Sequence, residues 1–127
     1  MESLSPNIFV KDINRTIEFD TNLGFRLEMT VPPAVESKPF DWAMLSCGKV
    51  TFMFQTFESL GKNLPDISRS PGGSLLLYIK VKGILELFKK MEGTPSLLTP
   101  LEKTFYGATE FSIKDCNGYV LTFAEDL

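Results

Sequence analysis

A chain without histidine must do any chemistry through carboxylates, thiols, hydroxyls or aromatic rings, and this chain of 127 residues contains none. Imidazole is both the commonest metal ligand and the usual general base near neutral pH, so its absence narrows the field at once. Four carboxylates lie on segments able to face inward: Glu28, Asp41, Glu110 and Glu125. One of them, its pKa raised by burial, is what a metal-independent isomerase, epimerase or lyase would need. No two have a spacing that marks a catalytic pair, and the plainer reading of each is an exposed strand residue. Cys47 and Cys116 are too few and too far apart for a disulfide framework and are read as free thiols. What remains is a set of large side chains suited to holding a guest by stacking: Trp42, Met44, Phe52, Phe54, Phe105, Tyr106 and Phe111. Any one Phe is more simply explained as core. Trp42 stands apart, because its indole N–H needs a partner and it sits on a strand expected to border a cleft.

The elements that must position these residues repeat. Ile8 to Phe25 reads as a strand, a helix capped by Asp12 or Asn14, and a stop at Gly24; Leu75 to Gly93 follows the same plan. Setting Val10-Lys11-Asp12-Ile13 over Val81-Lys82-Gly83-Ile84 places Ile17 over Phe88, and Cys47-Gly48-Lys49-Val50 answers Asn117-Gly118-Tyr119-Val120. Two echoes in the same order indicate duplication. Further strands are expected over Phe25 to Val31, with Phe25, Leu27, Met29 and Val31 on one side, over 40–46 and 50–56, over 75–81, and, as a weak edge, over 96–101. Glu110 to Lys114 and Tyr119 to Ala124 supply the last two. A helix over Gly83 to Met91 carries Ile84, Leu87, Phe88 and Met91 on one face. In the first helix Asp20 interrupts the apolar stripe, so either the face turns to solvent there, the plainer reading, or a carboxylate is placed on purpose. The order is βαβββ twice, an α+β fold. The strands over 40–56 are apolar on both faces, which requires a helix on one side and a second sheet or a ligand cleft on the other.

Composition excludes several classes. Hydrophobic residues at 43% with eleven Phe support a sizeable core, and the length suits one domain. It divides into a first module over about 1–56, a linker over 57–72 and a second module over about 73–127. Thirteen basic against sixteen acidic residues, a net charge of -3, leave no basic patch for nucleic acid. No apolar run approaches a membrane span, and the opening MESLSPNIFVKD lacks the features of a signal peptide, so a cytoplasmic protein with no membrane partner is expected.

With that order in hand, the chain resembles the vicinal oxygen chelate superfamily, the group of glyoxalase I, the bleomycin resistance proteins and the extradiol dioxygenases. The likeness rests on Val10-Lys11-Asp12-Ile13 through Glu18-Phe19 to Leu23-Gly24-Phe25, and on Tyr106-Gly107 through Glu110-Phe111 to Asp115-Cys116-Asn117-Gly118-Tyr119. It implies tandem βαβββ modules curving as a sheet around a cleft, helices outside, with the cleft often closed by a homodimer. It also implies metal-ligand positions near Ser5 and Leu76, at Thr122, and at Phe52 or Met53. None of these is a usual ligand for a divalent ion, since such ions want imidazole or carboxylate. Glu125 lies three residues beyond the usual position and is read as a surface carboxylate, and Asp20 stands where an aromatic is common.

The resemblance with these departures points to the metal-free branch, similar to the bleomycin resistance proteins. The expected function is binding of a small, partly aromatic or apolar molecule, with antibiotic sequestration as one form of it, no cofactor, and no catalytic residues. Thr122 joins the candidate ligand-binding set by its position. Two alternatives stay open: the carboxylate-driven enzyme above, and an assembly or regulatory domain whose cleft is filled by its own side chains.

Overall fold

The computed structural model describes residues 1–127. They form two compact units, Met1–Pro71 and Gly72–Leu127. In the first, β1 (Asn7–Val10), α1 (Ile13–Leu23), β2 (Arg26–Val31), β3 (Trp42–Cys47), β4 (Val50–Thr56) and the short α2 (Phe57–Leu60) make a sheet of order β1-β4-β3-β2. In the second, β5 (Leu76–Lys80), α3 (Ile84–Met91), β6 (Glu102–Lys103), β7 (Ala108–Lys114) and β8 (Val120–Asp126) make a sheet of order β5-β8-β7-β6. In each, the opening strand pairs parallel with the last and the other neighbours are antiparallel. The expected tandem βαβββ arrangement is therefore borne out, as two open, mixed four-stranded sheets in an α+β fold.

Local chemistry explains the helices. Asp12, in extended conformation, accepts from the Arg15 backbone N–H at 3.2 Å and so satisfies one of the unpaired donors of the first turn of α1. Gly24, at φ +113°, ends the helix: its N–H reaches the Thr21 carbonyl and the Phe25 N–H the Asp20 carbonyl, both at 3.0 Å. A side chain at Gly24 would be strained in that left-handed conformation. Asp20 does not turn to solvent as the plainer reading held; it is buried at 2% exposure on the face of α1 toward the core.

Helix α3 has no such cap of its own, because Gly83 occupies the N-cap position. Glu125 of β8 supplies it, accepting from the Gly83 N–H at 3.1 Å and the Ile84 N–H at 2.8 Å. Glu125 is thus a tertiary helix cap and not an idle surface carboxylate. These two N–H groups hold its carboxyl below the usual glutamate range. A lowered native value means the stabilisation is complete above the ordinary glutamate range and is lost as pH falls through the lowered value. Glu125→Ala should accordingly lower the urea midpoint at neutral pH, and the gap from the parent should close as the solution is acidified below the carboxylate range.

Each helix covers one face of its sheet. Ile8, Val10, Ala43, Leu45, Phe52 and Phe54 are buried in the first unit, and Phe25, just after α1, stacks on Phe52 at 5.0 Å. In the second unit Phe88 of α3 meets Phe111 edge-on at 5.2 Å, above Ile79, Ile113, Leu121 and Phe123.

Two strands differ from expectation. In β2 a bulge at Glu28 puts Leu27 opposite Leu45 and Met29 opposite Met44, so the two side chains belong to different faces in spite of the regular alternation. The edge expected over 96–101 is only an isolated bridge between Leu97 and Ile113, and the regular edge strand is the two-residue β6. Pro95 and Pro100 have no N–H to give to a ladder. Near the end of the first unit, the Arg69 guanidinium gathers the carbonyls of Gly61, Asn63, Leu64 and Ile67, giving the polar segment after α2 a fixed fold.

Candidate functional site

The helix-free face of the first sheet follows from strand alternation. Register aligns Phe9, Gln55, Trp42 and Val31 across β1, β4, β3 and β2, and beside them Asn7, Met53, Met44 and Met29. Trp42, Met44, Met53 and Phe9 are half-buried, while Met29 and Val31 at the sheet edge are 53% and 49% exposed. Three thioethers in a row beside one indole make a soft, adaptable surface for a flat apolar guest. Polar atoms are few. Asn7 Nδ2 donates to Gln55 Oε1 at 2.9 Å, and Asn7 Oδ1 is shielded from solvent with no hydrogen-bond partner. Leaving such an acceptor bare costs about 1–3 kcal/mol.

On the corresponding face of the second sheet, register aligns Tyr78, Thr122 and Ser112, and beside them Lys80, Ala124 and Glu110. The hydroxyls of Ser112 and Thr122 bond each other at 2.8 Å. Tyr78 and Tyr106 both donate to Glu110 Oε2, at 2.5 Å and 2.6 Å. The Glu110 carboxylate, by accepting these protons, pushes the Tyr78 hydroxyl up to about 12 and raises that of Tyr106 as well. Burial raises Tyr119. The native protein should therefore show little phenolate absorbance in the ordinary tyrosine range, and Glu110→Gln should bring two of its three tyrosines back toward a value of about 10 in a spectrophotometric titration.

The sequence candidates divide between these surfaces and the core. Trp42 and Met44 share the first face. Phe52 and Phe54 point the opposite way, at 4% and 1% exposure, and Phe111 is likewise core at 1%. Thr122 is on the second face but only 6% exposed and already paired with Ser112. Phe105 and Tyr106 lie between β6 and β7, their rings 5.0 Å apart and Phe105 fully exposed. Sequence reasoning left out Phe9, Asn7, Gln55 and Tyr78 as contacts. Met53 was recoverable, because the turn at Gly48 sets it opposite Met44.

The carboxylates fare differently as bases. Glu28 is held below the usual range by the Ser46 hydroxyl and then by Arg26, at 2.7 Å and 2.9 Å, and Glu125 is spent as a cap. Neither meets the requirement of a raised value. Asp41 is on neither helix-free face. It lines a depression of about 530 Å³ at the start of α1 with Lys11, Lys38 and Glu58, a mixed-charge surface. A divalent ion is also poorly served: nowhere do three His, Cys, Asp or Glu side chains converge, and the groups at the implied positions are hydroxyl, thioether and hydrocarbon. The donor set does not fit such an ion.

No protein-family model matches the chain, and no curated protein matches it by sequence. Solved structures do match its fold. TioX from Micromonospora sp. ML1 is 19% identical, with all of both chains covered and a TM-score of 0.75. A glyoxalase/bleomycin resistance protein/dioxygenase family enzyme from Burkholderia phytofirmans PsJN is 20% identical, with 97% of each chain covered and a TM-score of 0.76. A bleomycin-binding protein complexed with bleomycin is 18% identical over all of both chains, with a TM-score of 0.65. The fold is thus the one that the sequence resemblance implied. No helix is long and apolar enough to cross a membrane.

Proposed function

We propose that a chain with this fold and this surface is a small-molecule-binding protein of the bleomycin-resistance kind, taking a partly aromatic or apolar guest without a metal ion. The observation that carries the reading is the helix-free face of Met1–Pro71, where Trp42, Phe9, Met44 and Met53 are left half-covered by their own unit. The Asn7–Gln55 amide pair is the polar group in the row of that face, and such a group beside apolar side chains can orient a guest. The bound bleomycin in one structure of the same fold supports the class of function. The net charge of -3 favours a basic or neutral guest only mildly, so the proposal is not confined to that drug. Exposed Met29, Val31 and Leu76 on the sheets suit a homodimer as the working form, and the cytoplasm as its location is part of the same proposal.

Trp42 is the only tryptophan, so its emission reports on the site directly. The test is a fluorescence and thermal-shift titration with bleomycin and a panel of aromatic metabolites, with and without EDTA. A saturable change in emission that is indifferent to EDTA and accompanied by a raised melting temperature is the expected result. Silence across the panel, with sedimentation showing Trp42 sealed in a stable oligomer, would transfer the chain to the assembly class. Binding that EDTA abolishes would refute the metal-free reading.

A further inference from the structure

We propose that Glu110, held by the hydroxyls of Tyr78 and Tyr106, forms a recognition site for an organic cation, an ammonium or amidinium group on an apolar body. The proposal does not depend on the Trp42 face, since every residue in it belongs to Gly72–Leu127.

Three observations support it. The first is an unspent charge. Glu110 Oε2 receives both phenolic protons, at 2.5 Å and 2.6 Å, while Oε1 has no partner. The ion pairs of the chain are Arg26–Glu28, Lys38–Glu36 and Lys80–Asp126, so no cation neutralises Glu110. Lys80 is the cation that strand register brings into its row, yet its ammonium is held by Asp126.

The second is aromatic surface in the right place. Tyr106 and Phe105 stand at 85° to each other with centroids 5.0 Å apart, a corner of two rings beside the carboxylate, and Phe105 is wholly exposed. The Lys80 ammonium already lies 5.8 Å from the Tyr78 ring centroid, which shows that this surface accepts a cation over an aromatic face. A carboxylate fixed by two phenolic donors, with exposed aromatic surface on the same residues and their neighbour, suits a weakly hydrated organic cation better than a metal ion, which would ask for more oxygens.

The third is that both phenols stay neutral. Their hydroxyls are pushed upward by Glu110, so they remain donors to it and add no charge of their own. They also lock the carboxylate rotamer, which lowers the ordering cost of capture.

The test is an NMR titration of the full chain with benzyltrimethylammonium, with benzyl alcohol as the neutral counterpart of similar shape. Saturable shifts at the amides of Tyr78, Tyr106 and Glu110 are expected for the cation, with an affinity about tenfold or more above that for the alcohol. Glu110→Gln should lower the cation's affinity by about tenfold and leave the alcohol unaffected. Tyr106→Ala, at an exposed position, should weaken the cation by several-fold. In the parent protein, raising salt should weaken the cation and not the alcohol. Equal affinity for the two probes, no saturable shift, or salt independence would overturn the proposal even if Glu110→Gln failed to fold. Unchanged affinity in a folded Glu110→Gln would do the same, leaving the Tyr–Glu–Tyr cluster as a structural tie between strands.

Discussion

Trp42→Ala is expected to weaken guest binding by more than tenfold, a loss of about 2 kcal/mol, while the protein remains folded. The indole lies between Gln55 and Val31 in the register of the first sheet and beside Met44, half-covered, so part of it is available to stack. Aromatic pairs of this kind contribute about 0.5–1.5 kcal/mol beyond the area they bury. Trp42→Phe should keep part of the affinity, because a flat ring remains. Since either substitution removes the fluorophore, calorimetry is the appropriate measurement, with whichever panel compound moves the parent emission most. Undiminished binding in Trp42→Ala would place the guest elsewhere in the molecule.

Phe111→Ala should cost about 3–5 kcal/mol of folding stability, a large share of what a domain of this size possesses. Phe111 is 1% exposed and its ring centroid lies 5.2 Å from that of Phe88 and 5.3 Å from that of Phe123, so truncation opens a cavity under α3 that its neighbours cannot close. Phe105→Ala provides the contrast. That ring is fully exposed, and its loss should change stability by no more than about 0.5 kcal/mol. Urea unfolding of the two variants side by side checks both, and a similar midpoint for the pair would contradict the assignment of Phe111 to the core. Six positions apart and identical in chemistry, the two phenylalanines differ only in what the fold puts around them.

That contrast marks the limit of what could be read before folding. Phe52 and Phe54 were candidate contacts for the same reason as Trp42 and Met44: all four are large, apolar and on one hairpin. Alternation sorts them into two sets, Phe52 with Phe54 and Trp42 with Met44, but does not say which set the helix covers. The answer came from Phe25, which follows α1 and stacks on Phe52. The bulge in β2 was hidden by the very regularity of FRLEMTV, because the extra residue Glu28 is stabilised by Ser46 from the next strand and by Arg26. Asp20 read as solvent-facing because a carboxylate is seldom buried, and only the packed α1 places it inside.

The amino-acid sequence by itself determined the duplicated βαβββ plan, since caps at Asp12 and Gly24, glycine turns at Gly48 and Gly118 and the period of the apolar residues are all local, acting over a few bonds. It also determined that no imidazole is present for metal or proton chemistry. The tertiary structure alone decided which face of each sheet is left open, that Glu125 caps a helix 41 positions earlier, and that Glu110 receives the hydroxyl of Tyr78 from 32 positions away. Such pairings depend on strand register and on which side a helix lands, and those are settled by the free energy of the whole packed unit and not by any short stretch of chain.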